Sequence, residues 1–431
     1  MMKPQRYLTG ITTSGTPHLG NYVGSIRPAV RASRQSGVQS FYFLADYHAL
    51  IKVDDPARIQ RSTLEIAASW LACGLDPDQV VFYRQSDIPE IPELTWFLSC
   101  VLGKGVLNRA HAYKAAVDKN TAAGLDPDSD VSVGLFMYPA LMGADILMFN
   151  AEQVPVGRDQ VQHIEMARDM AASFNHRYGE HFTLPNALIE DQVATLPGLD
   201  GRKMSKSYDN TIPLFAPPEQ LKKLIAGIVT DSRVPGEPKS TEGSALFQIY
   251  QAFASADETA ALARAYAQGI GWGEAKALLF DRIEQEIGPL RQRYQALMAN
   301  PQQIESILQA GAAKARAMAT PFMARLRHAV GLRPLSVPIS AAQAPAVGRR
   351  VRPQFKQYRE ADGLFYFKLV GADGQCLLQS AAYDHPRAAA QAIAALRASD
   401  AALDSLTPAP TRPDSVTEHA LLQALAALRA D

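Results

Sequence analysis

The sequence predicts an α/β fold: a doubly wound parallel-sheet (Rossmann-like) domain, an α-helical bundle, and a small appended β-β-α module. Three observations predict it. Short apolar runs alternate with amphipathic stretches of helical period through the first part of the chain. From Pro217 to His328 the strand-like runs disappear and helix follows helix, with Gly and Pro at the breaks. Beyond a stretch rich in Pro, Ala and Ser, Pro334 to Val347, strand-like alternation returns at Gly363–Val370.

Arg6–Ile11 is the first strand, short and apolar, and a Thr/Ser/Gly/Pro loop leads from it to Pro17. A helix-period stretch follows from about His18 to Gln35. Phe41-Tyr42-Phe43-Leu44-Ala45 reads as a buried strand, Pro56–Cys73 as a long amphipathic helix, and Val80-Val81-Phe82-Tyr83 as a third strand. Strands and helices in this alternation build a parallel sheet covered on both faces, with ligands beyond the carboxyl ends of the strands. Ser132–Asn150 is apolar nearly all round, so it is expected deep in the core. Arg158–Tyr178 is a further amphipathic helix.

The expected divisions are a sheet domain at 1–216, a helical domain at 217–333, a linker at 334–348, the small module at 349–400, and a linker with a short helix at 401–431. In the module, Gly363–Val370 and Cys376–Gln379 are strands around an Ala372-Asp373-Gly374 turn, and Pro386–Arg397 is a helix. Arg349, Arg350, Arg352, Lys356 and Arg359 form a basic run with Phe355 and Tyr358 between them. It reads as a solvated linker end, with RNA binding as the alternative.

Composition bounds the function classes. Of 431 residues, 47% are hydrophobic and 20% charged, as expected of a soluble globular chain. Lys plus Arg equals Asp plus Glu at 43, so any nucleic-acid contact needs a local basic face. No stretch approaches the roughly 18–20 apolar residues that span a bilayer, and the Met-Met-Lys-Pro-Gln-Arg start has no apolar signal core. The three cysteines, Cys73, Cys100 and Cys376, lie far apart, which argues against a disulfide framework or a cysteine-built metal site. A cytoplasmic protein with reduced thiols and no resident metal is expected.

Two segments carry chemistry. Gly10-Ile11-Thr12-Thr13-Ser14-Gly15-Thr16-Pro17-His18-Leu19-Gly20-Asn21 leaves the first strand and opens a helix. A helix N-terminus presents free N–H groups and a positive dipole end, which suits a polyphosphate; the alternative is a capped turn. His18 adds a donor for a phosphate oxygen. Gly20 leaves room for a flat ring against the backbone, and Asn21 can donate to phosphate or ribose. In Gly201-Arg202-Lys203-Met204-Ser205-Lys206-Ser207, two ammonium groups three residues apart on a Gly-containing loop can clamp a triphosphate from the opposite side, closing as charge builds. Alone, this segment also fits a solvated basic loop.

Together, His-x-Gly-Asn early and Lys-Met-Ser-Lys-Ser 185 residues later resemble the class I aminoacyl-tRNA synthetases, whose second signature is Lys-Met-Ser-Lys-Ser letter for letter. Within the class, Tyr138-Pro139-Ala140-Leu141-Met142-Gly143-Ala144-Asp145-Ile146-Leu147 and Val154-Pro155-Val156-Gly157-Arg158-Asp159-Gln160-Val161-Gln162-His163 are similar to the bacterial tryptophanyl branch. The likeness covers roughly residues 4 to 332. It implies a homodimer that activates L-tryptophan with ATP and Mg2+ and loads tRNA(Trp), with 217–333 binding the anticodon. Lys203, Lys206, His18 and Asn21 are then the catalytic residues. ATP is contacted by Thr12, Thr13, Ser14, Gly20, Asn21, the turn Gly157, Arg158 and Asp159, Val193 or Leu196, and Lys203, Met204, Ser205, Lys206 and Ser207. Asp145 accepts the indole N–H; Leu8, His48, Met142, Val154 and Val156 line the ring pocket; Tyr138 and Gln160 face the ammonium and carboxylate.

The residues support the Asp145 assignment independently. A lone carboxylate on an apolar helix costs several kcal/mol unless a donor meets it, and the indole N–H is a pure donor. A neighbouring backbone group or Arg is the alternative partner. Four positions depart from the commoner pattern: Thr12 and Thr13 stand in place of Gln-Pro, His18 in place of Thr, and Arg158 in place of an acid. No insertion large enough for an editing domain interrupts the sheet region, as suits an amino acid that one tight pocket can discriminate. Trp96–Lys114, apolar and then basic, is the expected dimer face and acceptor-stem contact. Gly363–Val370 resembles a small bacterial domain of unassigned role. The competing readings are a tyrosyl enzyme, whose pocket helix differs from Ala-Asp-Ile-Leu; a small-molecule adenylyltransferase, which lacks Lys-Met-Ser-Lys-Ser; and a non-catalytic synthetase-like module, against which intact Lys203 and Lys206 argue.

Overall fold

The computed structural model describes residues 4–13, 15–189, 195–332, 353–360, 362–399 and 402–429. The chain divides into two units, Met1–Pro334 and Leu335–Asp431. Among the described residues no helix is long and apolar enough to cross a membrane.

The first unit is built on five strands: β1 (Gln5–Thr12), β2 (Val38–Ala45), β3 (Val81–Arg84), β4 (Gln153–Val156) and β5 (Asn186–Ile189). Their order is β3-β2-β1-β4-β5 and every pairing is parallel. This is the predicted Rossmann-like sheet. The run Phe41–Leu44 is apolar without interruption because both faces are covered: Phe41 and Phe43 enter one core, Tyr42 and Leu44 the other. The strand order reverses between β1 and β4, so a crevice opens beyond their carboxyl ends.

The Pro56–Ala72 helix starts with Pro at its first position and an Asp55 cap accepting from Ala57 N–H, as its sequence predicts. The stretch after Pro17 is helical as expected, running Leu19–Asn21, Tyr22–Ile26 and Arg27–Ala32 without a break, with a π-helical register in its middle segment. One expectation is corrected. The helix expected deep in the core, Val133–Met148, is fully buried only from Pro139 onward, and Val133 is 77% exposed. An all-apolar stretch has no polar face to reveal which of its turns projects past the sheet.

The region after Pro217, read as a separate bundle, contributes to both cores of the sheet. Leu246, Ile249, Leu279 and Ile283 join the core under Tyr42 and Leu44; Ala315, Ala319 and Met323 join the one under Phe41 and Phe43. The Pro301–Ala329 helix lies directly on β3. A β-carbon built on Gly311 would stand 1.6 Å from the Phe82 carbonyl oxygen, so only glycine permits this approach. Arg84, at the end of β3, clamps Glu305 of that helix through Nη1 and Nη2, both at 2.9 Å.

The second unit holds β6 (Gln354–Arg359), β7 (Phe365–Val370) and β8 (Cys376–Gln379), antiparallel in the order β6-β7-β8. The predicted module therefore has a third strand, where Lys356 and Arg359 were read as part of a solvated linker end; alternating charges hid its period of two. Arg349, Arg350 and Arg352 lie outside the described residues. The Pro386–Ala398 helix packs Ala389, Ala392 and Leu396 on Phe367 and Leu369. Leu421, Ala424 and Leu425 of the Glu418–Ala427 helix belong to the same core, although 401–431 reads as linker and short helix.

Candidate active site

Backbone pairing brings the two signature segments together. The Leu19 N–H donates to Ile212 O and the Leu214 N–H to Pro17 O, each at 3.0 Å, so the residues around His18 run against those following the Lys-Met-Ser-Lys-Ser loop. Inside the first segment His18 caps its helix. Its Nδ1 accepts from the Asn21 N–H at 3.3 Å, and Asn21 Oδ1 accepts from the His18 N–H at 3.1 Å. With Nδ1 as acceptor, a neutral His18 carries its proton on Nε2 and can donate one hydrogen bond. Burial first, and then the charge of Lys206, push the imidazole pKa down to about 4, so the ring is neutral near pH 7.

The opposite wall is stapled by Asn210, which is 2% exposed. Its Oδ1 accepts from the Ser205 N–H at 2.8 Å, and its Nδ2 donates to Asp200 Oδ1 at 2.7 Å and Lys203 O at 3.1 Å. One amide thus sets the backbone on both sides of Met204. Between the two walls lies a cavity of about 600 Å3 lined by His18, Gly20, Asn21, Leu196, Lys203, Met204, Ser205 and Lys206, together with Gly24, Ser25, Thr195 and Tyr208. A β-carbon on Gly20 would stand 3.0 Å from the His18 ring, which is why the close approach needs glycine. Thr12 and Lys206 meet in an adjoining cavity of about 270 Å3. Burial and the positive charge of Arg58 lower the Lys206 pKa, with Glu65 opposing.

Other predicted nucleotide contacts are less clearly assembled. Thr13 is buried, and among the described residues its hydroxyl has no partner. Ser207 is exposed, its N–H donating to Ser205 Oγ. Gly157 and Arg158 are exposed beyond the end of β4, Arg158 opening a 3-10 turn that continues into the Val161–Tyr178 helix. Ser14, Val193 and the side chain of Asp159 lie outside the described residues.

A second polar chain runs beside these walls, again from strand ends. Asp145 is completely buried. His48, in the short helix following β2, donates from Nε2 to Asp145 Oδ2 at 2.9 Å. Gln85, in the turn following β3, donates from Nε2 to Oδ1 and Oδ2 at 2.8 and 2.9 Å. Among the described residues the carboxylate therefore has side-chain donors, from His and Gln and not from backbone or Arg. Burial holds its pKa above the ordinary carboxylate value, with the bonds from His48 and Gln85 opposing that rise. A carboxylate has about four acceptor directions, so three accepted bonds leave capacity for another donor.

The His48 and Tyr138 rings meet edge-on with centroids 6.4 Å apart. Tyr138 Oη is hydrogen-bonded to His163 Nε2, and His163 Nδ1 donates to Gln160 Oε1 at 3.0 Å. With Nδ1 donating, Nε2 accepts, so Tyr138 spends its proton on His163 and turns oxygen lone pairs toward other donors. Leu8 and Val154 are buried in the core of this face, and Met142 and Val156 pack against it half-buried. Sequence reasoning missed Gln85 and Asn210 and gave His163 no role. The available signal for Gln85 was its place just past the carboxyl end of the third strand.

A family model described as tRNA synthetases class I (W and Y) matches residues 2–287, and a domain of unknown function (DUF1508) matches residues 360–404. The chain is 65% identical over 405 residues to the tryptophan--tRNA ligase of Xanthomonas axonopodis pv. citri, covering 94% of each chain. It is 66% identical over 396 residues to that of Xanthomonas campestris pv. campestris, covering 91% of this chain and 92% of the other. Among solved structures, the tryptophanyl-tRNA synthetase of Campylobacter jejuni complexed with ADP and tryptophan superposes with a TM-score of 0.70 at 42% identity, over 76% of this chain and 100% of that one.

Proposed function

The chain belongs to the class I tRNA synthetases of the W and Y family, and from that premise we propose that it is a tryptophan--tRNA ligase. It activates L-tryptophan with ATP to tryptophanyl-adenylate and transfers the aminoacyl group to the terminal adenosine of tRNA(Trp). The observation that carries the reading is the nucleotide-sized cavity in which His18, Gly20 and Asn21 face Lys203, Met204 and Lys206.

The substrate carboxylate is already ionised, so activation needs no general base. It attacks the α-phosphorus in line, the α-phosphorus–oxygen bond to the β-phosphate breaks, and pyrophosphate leaves. Catalysis is positioning and charge stabilisation. The Lys203 and Lys206 ammoniums meet the phosphates from the side of their loop, while His18 donates its neutral Nε2–H from the opposite wall. Magnesium enters with the nucleotide as counter-ion of its phosphates and is part of the substrate. Asp145, oriented by His48 and Gln85, accepts the indole N–H, and Tyr138 accepts from the substrate ammonium. A tyrosine phenol both donates and accepts, so it fits less well a carboxylate already supplied with two fixed donors.

The enzyme acts as a homodimer in the cytoplasm in this reading; Trp96, 69% exposed on the Glu90–Ser99 helix, supports a partner on that face. The test is ATP–pyrophosphate exchange with each of the twenty amino acids in turn, followed by charging of a tRNA(Trp) transcript. Exchange stimulated by tryptophan alone is the expected result; stimulation by tyrosine, or exchange without charging, overturns it.

A further inference from the structure

The second unit has a sheet face that the activation chemistry does not use. Strand alternation sorts its residues. Phe355 packs on the core and Gln357 donates from Nε2 to Pro386 O at 2.8 Å, which puts these residues on the helix side of β6. Lys356 and Tyr358 therefore point the other way. On β7, Phe367 and Leu369 enter the core, leaving Tyr366 and Lys368 on the same outer face. The antiparallel register sets Lys356 directly opposite Lys368, and Tyr358 directly opposite Tyr366.

Each pairing is unusual for a face that only meets water. Like charges directly opposite on an antiparallel pair destabilise it. Among the described residues neither ammonium has a carboxylate within ion-pair distance, and Asp362 accepts from the Tyr366 hydroxyl at 2.6 Å. Lysine on an edge strand guards against edge pairing, which accounts for Lys356 on β6 but not for Lys368 on the central strand. The two tyrosine rings are stacked, with centroids 5.9 Å apart and an interplanar angle of 20°. Lys368 Nζ lies 5.4 Å from the Tyr358 centroid. Both hydroxyls are tied down, Tyr358 to the Gln379 amide and Tyr366 to Asp362, so the rings are fixed before any ligand arrives.

We propose that this outer face of the β6–β7 hairpin is a binding surface for single-stranded RNA, an unpaired segment of the tRNA substrate. Phosphates relieve the Lys356–Lys368 repulsion, and a base stacks on the tyrosine platform, the combination that single-strand binders use. An acidic peptide would satisfy the lysines but leave the aromatic platform without a partner. The identity of the RNA as tRNA rests on the ligase reading; the surface itself does not.

The experiment uses the full chain and fluorescence anisotropy with a labelled oligouridine and with a tRNA(Trp) transcript over a range of salt. Lys356→Gln combined with Lys368→Gln is expected to weaken oligouridine binding about tenfold or more and to make the log–log salt dependence shallower by about 1.4, two phosphate contacts at roughly 0.7 each for single strands. Tyr358→Leu combined with Tyr366→Leu is expected to weaken it at least about fivefold with the salt slope unchanged, and the corresponding Phe pair to bind like the parent. Tryptophan-dependent pyrophosphate exchange stays at the parental rate in all of them. Unchanged affinity in the lysine and tyrosine pairs overturns the proposal, as does an RNA duplex or polyglutamate binding as tightly as oligouridine. Should the Leu pair lose its thermal transition, Lys356→Glu with Lys368→Glu decides in its place. Absent exchange in the parent would sink the ligase reading while leaving the oligouridine result standing.

Discussion

Gln85 donates its amide N–H groups to both oxygens of Asp145, at 2.8 and 2.9 Å, while its own carbonyl oxygen accepts from the Tyr47 N–H at 3.1 Å. The backbone bond prevents the amide from flipping, so Asp145 is presented as an acceptor in one orientation. Gln85→Leu removes a bond to a charged partner inside the core. A loss of about 1.5–3 kcal/mol of stability is expected, with a tryptophan KM raised about tenfold or more and kcat little changed. A kcat loss at unchanged KM would show that Gln85 acts elsewhere.

Asp145→Ala tests the acceptor at the level of one substrate atom. The buried indole N–H is left unpaired, a penalty of about 1–3 kcal/mol and more for a charged partner, so activation efficiency should fall ten- to a hundredfold or beyond. An analogue with carbon or sulfur in place of the indole nitrogen should lose little further in the variant. Pyrophosphate exchange for both enzymes with both substrates closes the cycle. Additive losses would make the carboxylate a structural group.

Lys206→Ala should slow activation by roughly 2.7–4 kcal/mol of transition-state stabilisation, the scale of one lost electrostatic donor. Equilibrium tryptophan binding should barely move, because the ammonium faces the phosphates. Single-turnover adenylate formation alongside equilibrium dialysis separates the two; collapse of tryptophan affinity with an intact rate contradicts the assignment.

His18 makes stability depend on pH in a defined direction. Folding lowers its pKa from the ordinary 6.5 to about 4. Between those values the unfolded chain takes up a proton that the folded one refuses, so stability falls as pH drops through that window and is unaffected by this group above it. The effect is on the order of 3 kcal/mol at most, reached below the folded-state pKa and reduced by solvent screening of a ring that lines a cavity. Urea unfolding of the parent and His18→Gln at neutral and mildly acidic pH should show the parent losing more; parallel losses would mean the imidazole titrates normally.

Gly311→Ala reverses the usual sign. Alanine in a helix interior ordinarily improves on glycine by about 1 kcal/mol. Here the added methyl meets the Phe82 carbonyl oxygen at 1.6 Å, and the helix must back away from β3. A loss of about 3 kcal/mol is expected from overpacking. A raised unfolding midpoint would rule out the close helix–strand contact.

A stop after Leu335 should leave tryptophan activation intact. The residues of the two large cores end at Leu326 and those of the small one begin at Phe367, so no core is cut. Loss of exchange in a soluble, folded truncation would make the second unit integral to catalysis.

What the sequence determined by itself was local. The apolar run at Phe41–Ala45, the helical period of Pro56–Ala72 and the letters of Lys-Met-Ser-Lys-Ser are each written within a few consecutive residues, and backbone geometry or phosphate chemistry acts at that range. The alternation of such elements also sufficed for the parallel sheet, because parallel neighbours can be joined only through crossovers, and these are of one hand. The tertiary structure alone decided which residues meet. Gln85 and His48 lie 60 and 97 residues from Asp145, and only the crossovers that align the ends of β2 and β3 beside the Val133–Met148 helix bring them to its carboxylate. The same holds for the helices after Pro217: an amphipathic stripe records that a face is buried, not that it is buried against this sheet. For β6 the opposing signal was charge, since Lys356 and Arg359 obscure an alternation that becomes visible once β7 supplies the register.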